Sequence, residues 1–272
     1  GFASGAVQLL EAMQCTTLAF GSEQGTIEPF LNTYHLIENN RARYNEIIKE
    51  NIQLGKSYPQ ALFIAYEQLK QLSPNAYIDL GKPNNILGFH YVEAIEQLHC
   101  SMRPATVQRI VAGYHDAIDT NHEIASATGI RQALFSGQSL QEVTKYLPSA
   151  STDQLQNWLA EHKNFASWES FWPLLKYAIL RHTPQQLKQY ADVSEGLENS
   201  LIKYAASSSN YMDFMNALKS KRYTWTRLQR MLTHIYTGVT KEQLHAFSSP
   251  RYIRILGMTT AGQQYISSIK KS

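Results

Sequence analysis

From Ser139 onward one pattern governs the sequence: apolar residues return every three or four positions, interrupted by short breaks containing Pro, Ser or Gly. The spacing predicts helices at 139–146, 151–162, 167–181, 184–191, 197–208, 211–219, 223–237 and 240–247. Short amphipathic helices in such number can bury their apolar stripes only against one another, which restricts this half to a helical assembly. The first half follows a different rule. A helix over 2–13, with Phe2, Val7, Leu9, Leu10 and Met13 apolar, precedes Cys15–Phe20, a short β-rich run ending in polar Gly21-Ser22-Glu23. A buried strand directly after a helix predicts a parallel α/β unit. Helices are expected over 26–54 and 57–72, and the turn Gly81-Lys82-Pro83-Asn84-Asn85 leads into another from Ile86 to Leu98. Thr106–Ala112 and Tyr252–Leu256 are further strand candidates, and 259–270 a last helix. Two domains follow, 1–137 and 138–272.

Charge divides the chain in the same place. Residues 1–137 carry 9 Lys/Arg against 13 Asp/Glu, a balance of −4, and residues 138–272 carry 16 against 9, a balance of +7. Only the second part has a general attraction for polyanions. Hydrophobic residues make up 43% of the 272, enough for a proper core, and no apolar run approaches the roughly 18 residues of a membrane span. Cys15 and Cys100 are too few for a disulfide framework. They read as core thiols in a reducing cytoplasm, and no leader pattern opens the sequence, so a cytoplasmic protein is expected.

Two segments carry candidate chemistry. Ser126, Thr128 and Arg131 form an S-x-T-x-x-R pattern at an expected helix start. Hydroxyls and free N–H groups at a helix N-terminus suit an anion such as a nucleotide phosphate, and an arginine one turn on can close over it. Simple capping by Ser126 fits the same pattern. The second segment is basic: Lys219, Lys221, Arg222, Arg227 and Arg230 occur within twelve residues that hold no acid. On a helix from Tyr223, Arg227, Arg230 and His234 share one face, while Leu228, Met231, Leu232 and Ile235 supply a core face. Tyr223 and Trp225 among these cations match the mixture that contacts RNA phosphates and unstacked bases. A solvated helix with its aromatics in the core is the competing reading. His115-Asp116 and His122-Glu123 lack the spacing of a metal site, so no metal site is expected. Glu195 and Glu198 are read as flanking a helix capped by Asp192 or Ser194, rather than as an acid/base pair.

Nine segments taken in order resemble one family. They are Phe2-Ala3-Ser4-Gly5-Ala6-Val7, Phe20-Gly21-Ser22-Glu23, Pro83-Asn84-Asn85-Ile86-Leu87-Gly88 with Tyr91, and Arg109-Ile110-Val111-Ala112-Gly113-Tyr114-His115-Asp116. Ser126-Ala127-Thr128-Gly129-Ile130-Arg131, Leu174-Leu175-Lys176-Tyr177, Glu195-Gly196-Leu197-Glu198-Asn199, the run Lys219–Arg230 and Arg254-Ile255-Leu256-Gly257 complete the set. This set resembles the bacterial tRNA(Met) cytidine acetate ligases, nucleotidyltransferase-like proteins of the HIGH type. The resemblance implies an α/β Rossmann-like nucleotidyltransferase domain, incomplete at its N-terminus, followed by a mostly α-helical RNA-binding domain. It implies ATP, with Mg as a candidate companion, acetate and tRNA as partners, and no membrane. Acetate would be activated as acetyl-adenylate, and the acetyl group passed to N4 of the wobble cytidine of elongator tRNA(Met). The family's nucleotide contacts fall on Gly5, Asn84 and Arg109, with Ser126, Thr128 and Arg131 added from the wider nucleotidyltransferase pattern. Lys219, Lys221, Arg222, Arg227 and Arg230 are the expected RNA contacts.

In one respect the sequence departs from the family. The H-x-G-H-type phosphate motif that should precede Phe2 does not occur, so the catalytic residues stay unassigned. The expectation is a fragment, inactive alone, whose ATP site is completed by a missing N-terminal segment of the same protein. A small-molecule adenylyltransferase and a non-catalytic RNA-binding module are the alternatives.

Overall fold

The computed structural model describes residues 1–109, 125–194, 196–220, 222–247 and 249–269. The chain separates into two compact units, Gly1–Tyr114 with Ser249–Ser272, and His115–Ser248. This division falls earlier than 137 and returns the last two dozen residues to the first unit. The charge asymmetry goes with it. The first unit holds 12 Lys/Arg and 10 Asp/Glu and the second 13 and 12, so the net charges are +2 and +1.

The first unit runs α1 (Phe2–Ala12), β1 (Thr17–Ser22), α2 (Glu28–Asn39), α3 (Arg41–Gln53), α4 (Tyr58–Lys70), α5 (Pro83–Gln97) and β2 (Arg103–Gln108). β1 and β2 are parallel, in register from Thr17 opposite Arg103 to Ser22 opposite Gln108. The crossover between them holds α2–α5, since a parallel pair cannot be closed by a tight turn. Each strand lies two or three residues from its expected start. β2 begins before Thr106 because Pro104 is tolerated: Arg103 N donates to Thr16 O at 2.9 Å, so the next residue faces away from β1, where no N–H is needed. The end of that candidate, Ile110–Ala112, lies outside the described residues. The helix expected over 26–54 is two helices, broken where Asn40 turns its side-chain amide onto Leu36 O at 2.8 Å. Tyr252–Leu256 forms no strand; Tyr252 and Leu256 are 76% and 86% exposed. The last helix, Thr260–Ile269, belongs to the first unit, where Tyr265 Oη donates to Met13 O at 2.6 Å.

α5 serves two cores. Phe89 and Val92 join Phe30, Ile47, Tyr66 and Ile78 on one side, while Ala94 and Ile95 join Val7, Leu18 and Met102 on the other. Cys15 and Cys100 are half-buried free thiols against the second core. With α5 fixed by both, its first turn is held rigidly beside the carboxyl ends of the strands.

The second unit is helical among its described residues. It comprises α6 (Ala127–Phe135), α7 (Leu140–Val143) with a 3-10 turn at Thr144–Tyr146, α8 (Ser149–His162), α9 (Trp168–Leu180), α10 (Pro184–Leu187), α11 (Leu197–Ser207), α12 (Tyr211–Leu218), α13 (Trp225–Thr237) and α14 (Lys241–Ala246). Ser139 with Glu142, Thr183 with Gln186 and Thr240 with Gln243 form capping boxes that start α7, α10 and α14. Trp172, Leu175, Leu201, Phe214, Leu228 and Leu232 meet in one core drawn from α9, α11, α12 and α13. No helix among the described residues is long and apolar enough to cross a membrane.

Candidate functional site

The loop leaving β1 and the first turn of α5 are locked together by reciprocal hydrogen bonds. Glu23 accepts from Asn84 Nδ2 at 2.7 Å, from Asn85 N at 2.9 Å and from Asn84 N at 3.4 Å. In return Asn85 Oδ1 accepts from Glu23 N and Gln24 N, both at 3.1 Å, and Asn85 Nδ2 donates to Asp79 O at 3.1 Å. The side chain of Lys82 does not cap α5; the Glu23 carboxylate takes that place, and Pro83 fills the first turn where no N–H is required. Burial works against ionisation of Glu23, but the Asn84 amide and the N–H groups of Asn84 and Asn85 outweigh it and hold the carboxyl below its ordinary pKa.

Beside this clamp lies a cavity of about 330 Å³, lined by Ala6, Leu10, Leu18, Ala19, Phe20, Gly21, Asn84, Leu87, Gly88, Tyr91 and Arg109. That volume suits a small molecule (sites range over roughly 300–1,000 Å³), and the lining is apolar with a few convergent polar groups. It sits at the carboxyl ends of parallel strands, the usual ligand position in α/β sheets. Arg109 follows β2 directly, its N–H donating to Ser22 O at 2.9 Å. The side chain is exposed and has no ion-pair partner among the described residues. Gly21 lies against the Arg109 stem, and a Cβ there would make ordinary contact with Arg109 Cγ at 3.4 Å. Phe20 packs edge-on against Phe30 at 5.3 Å and tilts against Tyr91 at 5.9 Å, forming the aromatic wall.

Of the expected nucleotide residues, Asn84 and Arg109 therefore meet at one cavity. Gly5 is not in its lining, although its neighbour Ala6 is; a Cβ on Gly5 would only touch Pro250 Cγ at 3.6 Å. Ser126, Thr128 and Arg131 belong to the second unit. There Ser126 is the N-cap of α6, its Oγ accepting from Gly129 N at 2.9 Å, and Arg131 borders a largely apolar cavity with Ile130, Leu134, Leu155 and Trp158. Glu23, Phe20 and Tyr91 were not singled out as site residues from sequence. Glu23 meets its partners 61 and 62 positions away, a pairing that no local pattern records.

The basic helix α13 is amphipathic as expected, with Leu228, Met231, Leu232 and Ile235 buried. Its cations are more engaged than the sequence implied. Arg230 Nε and Nη2 donate to the Asp192 carboxylate at 2.7 and 3.3 Å, and His234 Nε2 lies 3.5 Å from the same group. Arg227 Nη2 donates to Ser194 Oγ at 3.4 Å, and its guanidinium lies over the Tyr223 ring at 4.8 Å. Asp192 thus faces α13; Gly196 occupies the N-cap of α11, where Asp192 or Ser194 had been expected. Tyr223 is a core residue at 6% exposure, and Trp225 packs partly buried beside it, so the aromatic RNA surface expected of this pair is not presented. Lys219 and Arg222 are exposed. Lys221, Glu195, His115-Asp116 and His122-Glu123 lie outside the described residues.

The chain matches the HIGH Nucleotidyl Transferase family along residues 1–272. It is 57% identical over 270 residues to a tRNA(Met) cytidine acetate ligase of Lysinibacillus sphaericus (strain C3-41), covering 99% of this chain and 67% of that protein. A second such ligase, of Bacillus subtilis (strain 168), is 44% identical over 279 residues, 100% of this chain and 66% of the relative. Among solved structures, Thermotoga maritima TmcAL in its apo form I superposes with a TM-score of 0.86 at 27% identity, over 99% of this chain and 65% of that one. The same protein bound with alpha-thio ATP (form II) gives 0.83 at 27%, over 99% and 64%. The chain thus spans about two thirds of the length of the proteins it matches. Its fold is nucleotidyltransferase-like, and the chain belongs to the tRNA(Met) cytidine acetate ligase family of HIGH nucleotidyl transferases.

Proposed function

We propose that this chain is the nucleotide-binding and helical part of an ATP-dependent tRNA-modifying enzyme. Acetate attacks the α-phosphorus of ATP to give acetyl-adenylate and release pyrophosphate. The N4 amine of the wobble cytidine of elongator tRNA(Met) then attacks the acetyl carbonyl, and AMP departs. The observation that carries this reading is the cavity where Asn84 and Arg109 converge at the carboxyl ends of β1 and β2. Relatives named for the reaction and a neighbour solved with alpha-thio ATP support it.

In this reading the apolar wall of Leu18, Phe20, Leu87 and Tyr91 receives the adenosine, and Asn84 fixes its orientation. The Glu23 carboxylate already holds the first N–H groups of α5, so phosphate charge falls to Arg109. The backbone at Gly5 approaches the nucleotide beside Ala6. An anion site at Ser126, Thr128 and Arg131 rests on the nucleotidyltransferase pattern alone, since Ser126 Oγ already caps α6 within the second unit. Bound with ATP, Mg would supply additional positive charge at the phosphates. The tRNA contacts are assigned to Lys219, Lys221, Arg222, Arg227 and Arg230. Because the second unit has a net charge of only +1, this assignment rests on individual cations rather than on a bulk field.

The test is transfer of labelled acetate to elongator tRNA(Met) in the presence of ATP, with Arg109→Ala as the comparison. Label in cytidine that requires ATP, and an Arg109→Ala rate at least tenfold lower, supports the reading. ATP turnover indifferent to acetate and tRNA would favour a small-molecule adenylyltransferase. Binding of tRNA with no ATP consumption would favour a non-catalytic module.

A further inference from the structure

We infer that Glu23 is a positioning residue that turns the Asn84 side chain into a hydrogen-bond acceptor for the nucleoside, and so sets which nucleotides the cavity discriminates against. The inference rests on the nucleotide-binding reading above and adds a polarity to it. An asparagine amide is ambiguous, since it can present either a donor or an acceptor. Here the ambiguity is removed by chemistry. An ionised carboxylate only accepts, so the Asn84 atom 2.7 Å from Glu23 Oε1 must be the nitrogen. The same carboxylate takes Asn84 N at 3.4 Å and Asn85 N at 2.9 Å, which fixes the backbone carrying the amide as well as the amide itself.

Asn84 lines the cavity, and its Oδ1 has no protein partner among the described residues. The group left for a ligand is therefore chiefly an acceptor, and an acceptor recognises a donor. On an adenosine nucleotide the donors are the exocyclic amine of adenine and the ribose hydroxyls. Glu23 is held in turn by its own backbone, because Glu23 N and Gln24 N donate to Asn85 Oδ1 and Asn85 is 2% exposed. Loss of the carboxylate would leave Asn84 free to rotate and offer donor and acceptor alike, so the expected effect is on discrimination more than on fold.

Calorimetric titration of the full-length protein with ATP, ITP and 2′,3′-dideoxy-ATP tests this. ITP replaces the adenine amine with an acceptor, and 2′,3′-dideoxy-ATP removes both ribose hydroxyls, so the two arms tell a base donor from a ribose donor. The wild-type protein should bind ATP about five- to tenfold more tightly than one of the two analogues, the magnitude of one hydrogen bond. In Glu23→Ala that ratio should fall to within about twofold, Asn84→Ala should do the same, and the double variant should add nothing further. Glu23→Gln, which retains one acceptor oxygen, should keep part of the ratio and serves as the variant should Glu23→Ala fail to fold. A wild-type ratio in Glu23→Ala and Glu23→Gln, with the ratio lost in Asn84→Ala, would overturn the role of Glu23. A ratio that survives Asn84→Ala would overturn the acceptor assignment itself. No affinity of the full-length protein for any of the three would instead remove the nucleotide reading beneath it.

Discussion

Gly88 gives a test in which two general rules predict opposite signs. It is buried within α5, where helix propensity alone would favour alanine by about 0.8–1 kcal/mol. A Cβ at this position would stand 2.3 and 2.8 Å from Phe20 Cε2 and Cδ2, and 2.9 Å from Phe30 Cε1. Carbon atoms pack at about 3.5 Å, so the Phe20 ring would have to retreat by roughly 1 Å. Phe30 edge-on at 5.3 Å and Tyr91 at 5.9 Å restrict that retreat. Overpacking costs about 1–3 kcal/mol, and three contacts to two rings place this case near the upper end. After the propensity gain, Gly88→Ala should lose about 2 kcal/mol in urea denaturation, with an unchanged m-value. Because Phe20 is also a wall of the cavity, ATP affinity should fall with it. A variant as stable as wild type or more so, with normal ATP binding, would refute the steric argument.

Gly5→Ala separates stability from binding: its Cβ meets only Pro250 at 3.6 Å, so thermal stability should hold or rise by up to about 1 kcal/mol, while ATP affinity falls if the backbone there approaches the nucleotide. Unchanged affinity would take Gly5 out of the site. Glu23 has a depressed folded-state pKa, so its stabilisation is fully present above the ordinary glutamate value of 4.5 and fades as pH falls through the folded-state value. Denaturation of wild type and Glu23→Gln should accordingly differ most near neutral pH and converge in acid; a constant difference across that range would contradict the clamp. Asp192→Asn releases the Arg230 guanidinium at a cost of about 1 kcal/mol, since Arg230 is 58% exposed although Asp192 is only 22% exposed. Under the tRNA reading, affinity at low salt should rise and the log–log salt slope should steepen by up to about one charge. An unaltered slope would remove Arg230 from the tRNA contacts.

What was legible in the sequence follows the range of the interactions involved. The helices of the second unit were readable because apolar periodicity such as Leu228, Met231, Leu232 and Ile235 is local, and so are the Pro-, Ser- and Gly-containing breaks between helices. The strands were placed only approximately, because their ends depend on pairing between residues 86 positions apart, such as Thr17 and Arg103. Asn84 and Arg109 entered through resemblance, and the fold explains why they meet. Glu23 stayed hidden because its role exists only once the β1 loop reaches α5. The surroundings of the basic segment were hidden in the same way. It holds no acid of its own, yet Asp192 arrives from 38 residues upstream to pair with Arg230, and Tyr223 is drawn into the core. The linear charge split was similarly dissolved when 249–272, carrying four cations and no acid, joined the first unit.

The central claim is that the cavity between the strand ends and α5 is the ATP site. Amide and side-chain NMR shifts of the isotope-labelled chain during titration with ATP address it most directly. The account predicts saturable shifts centred on Ala6, Gly21, Asn84, Tyr91 and Arg109, all lost in Arg109→Ala. Saturable shifts confined to α8, α9 and α13, with Asn84 and Arg109 unmoved, would contradict it.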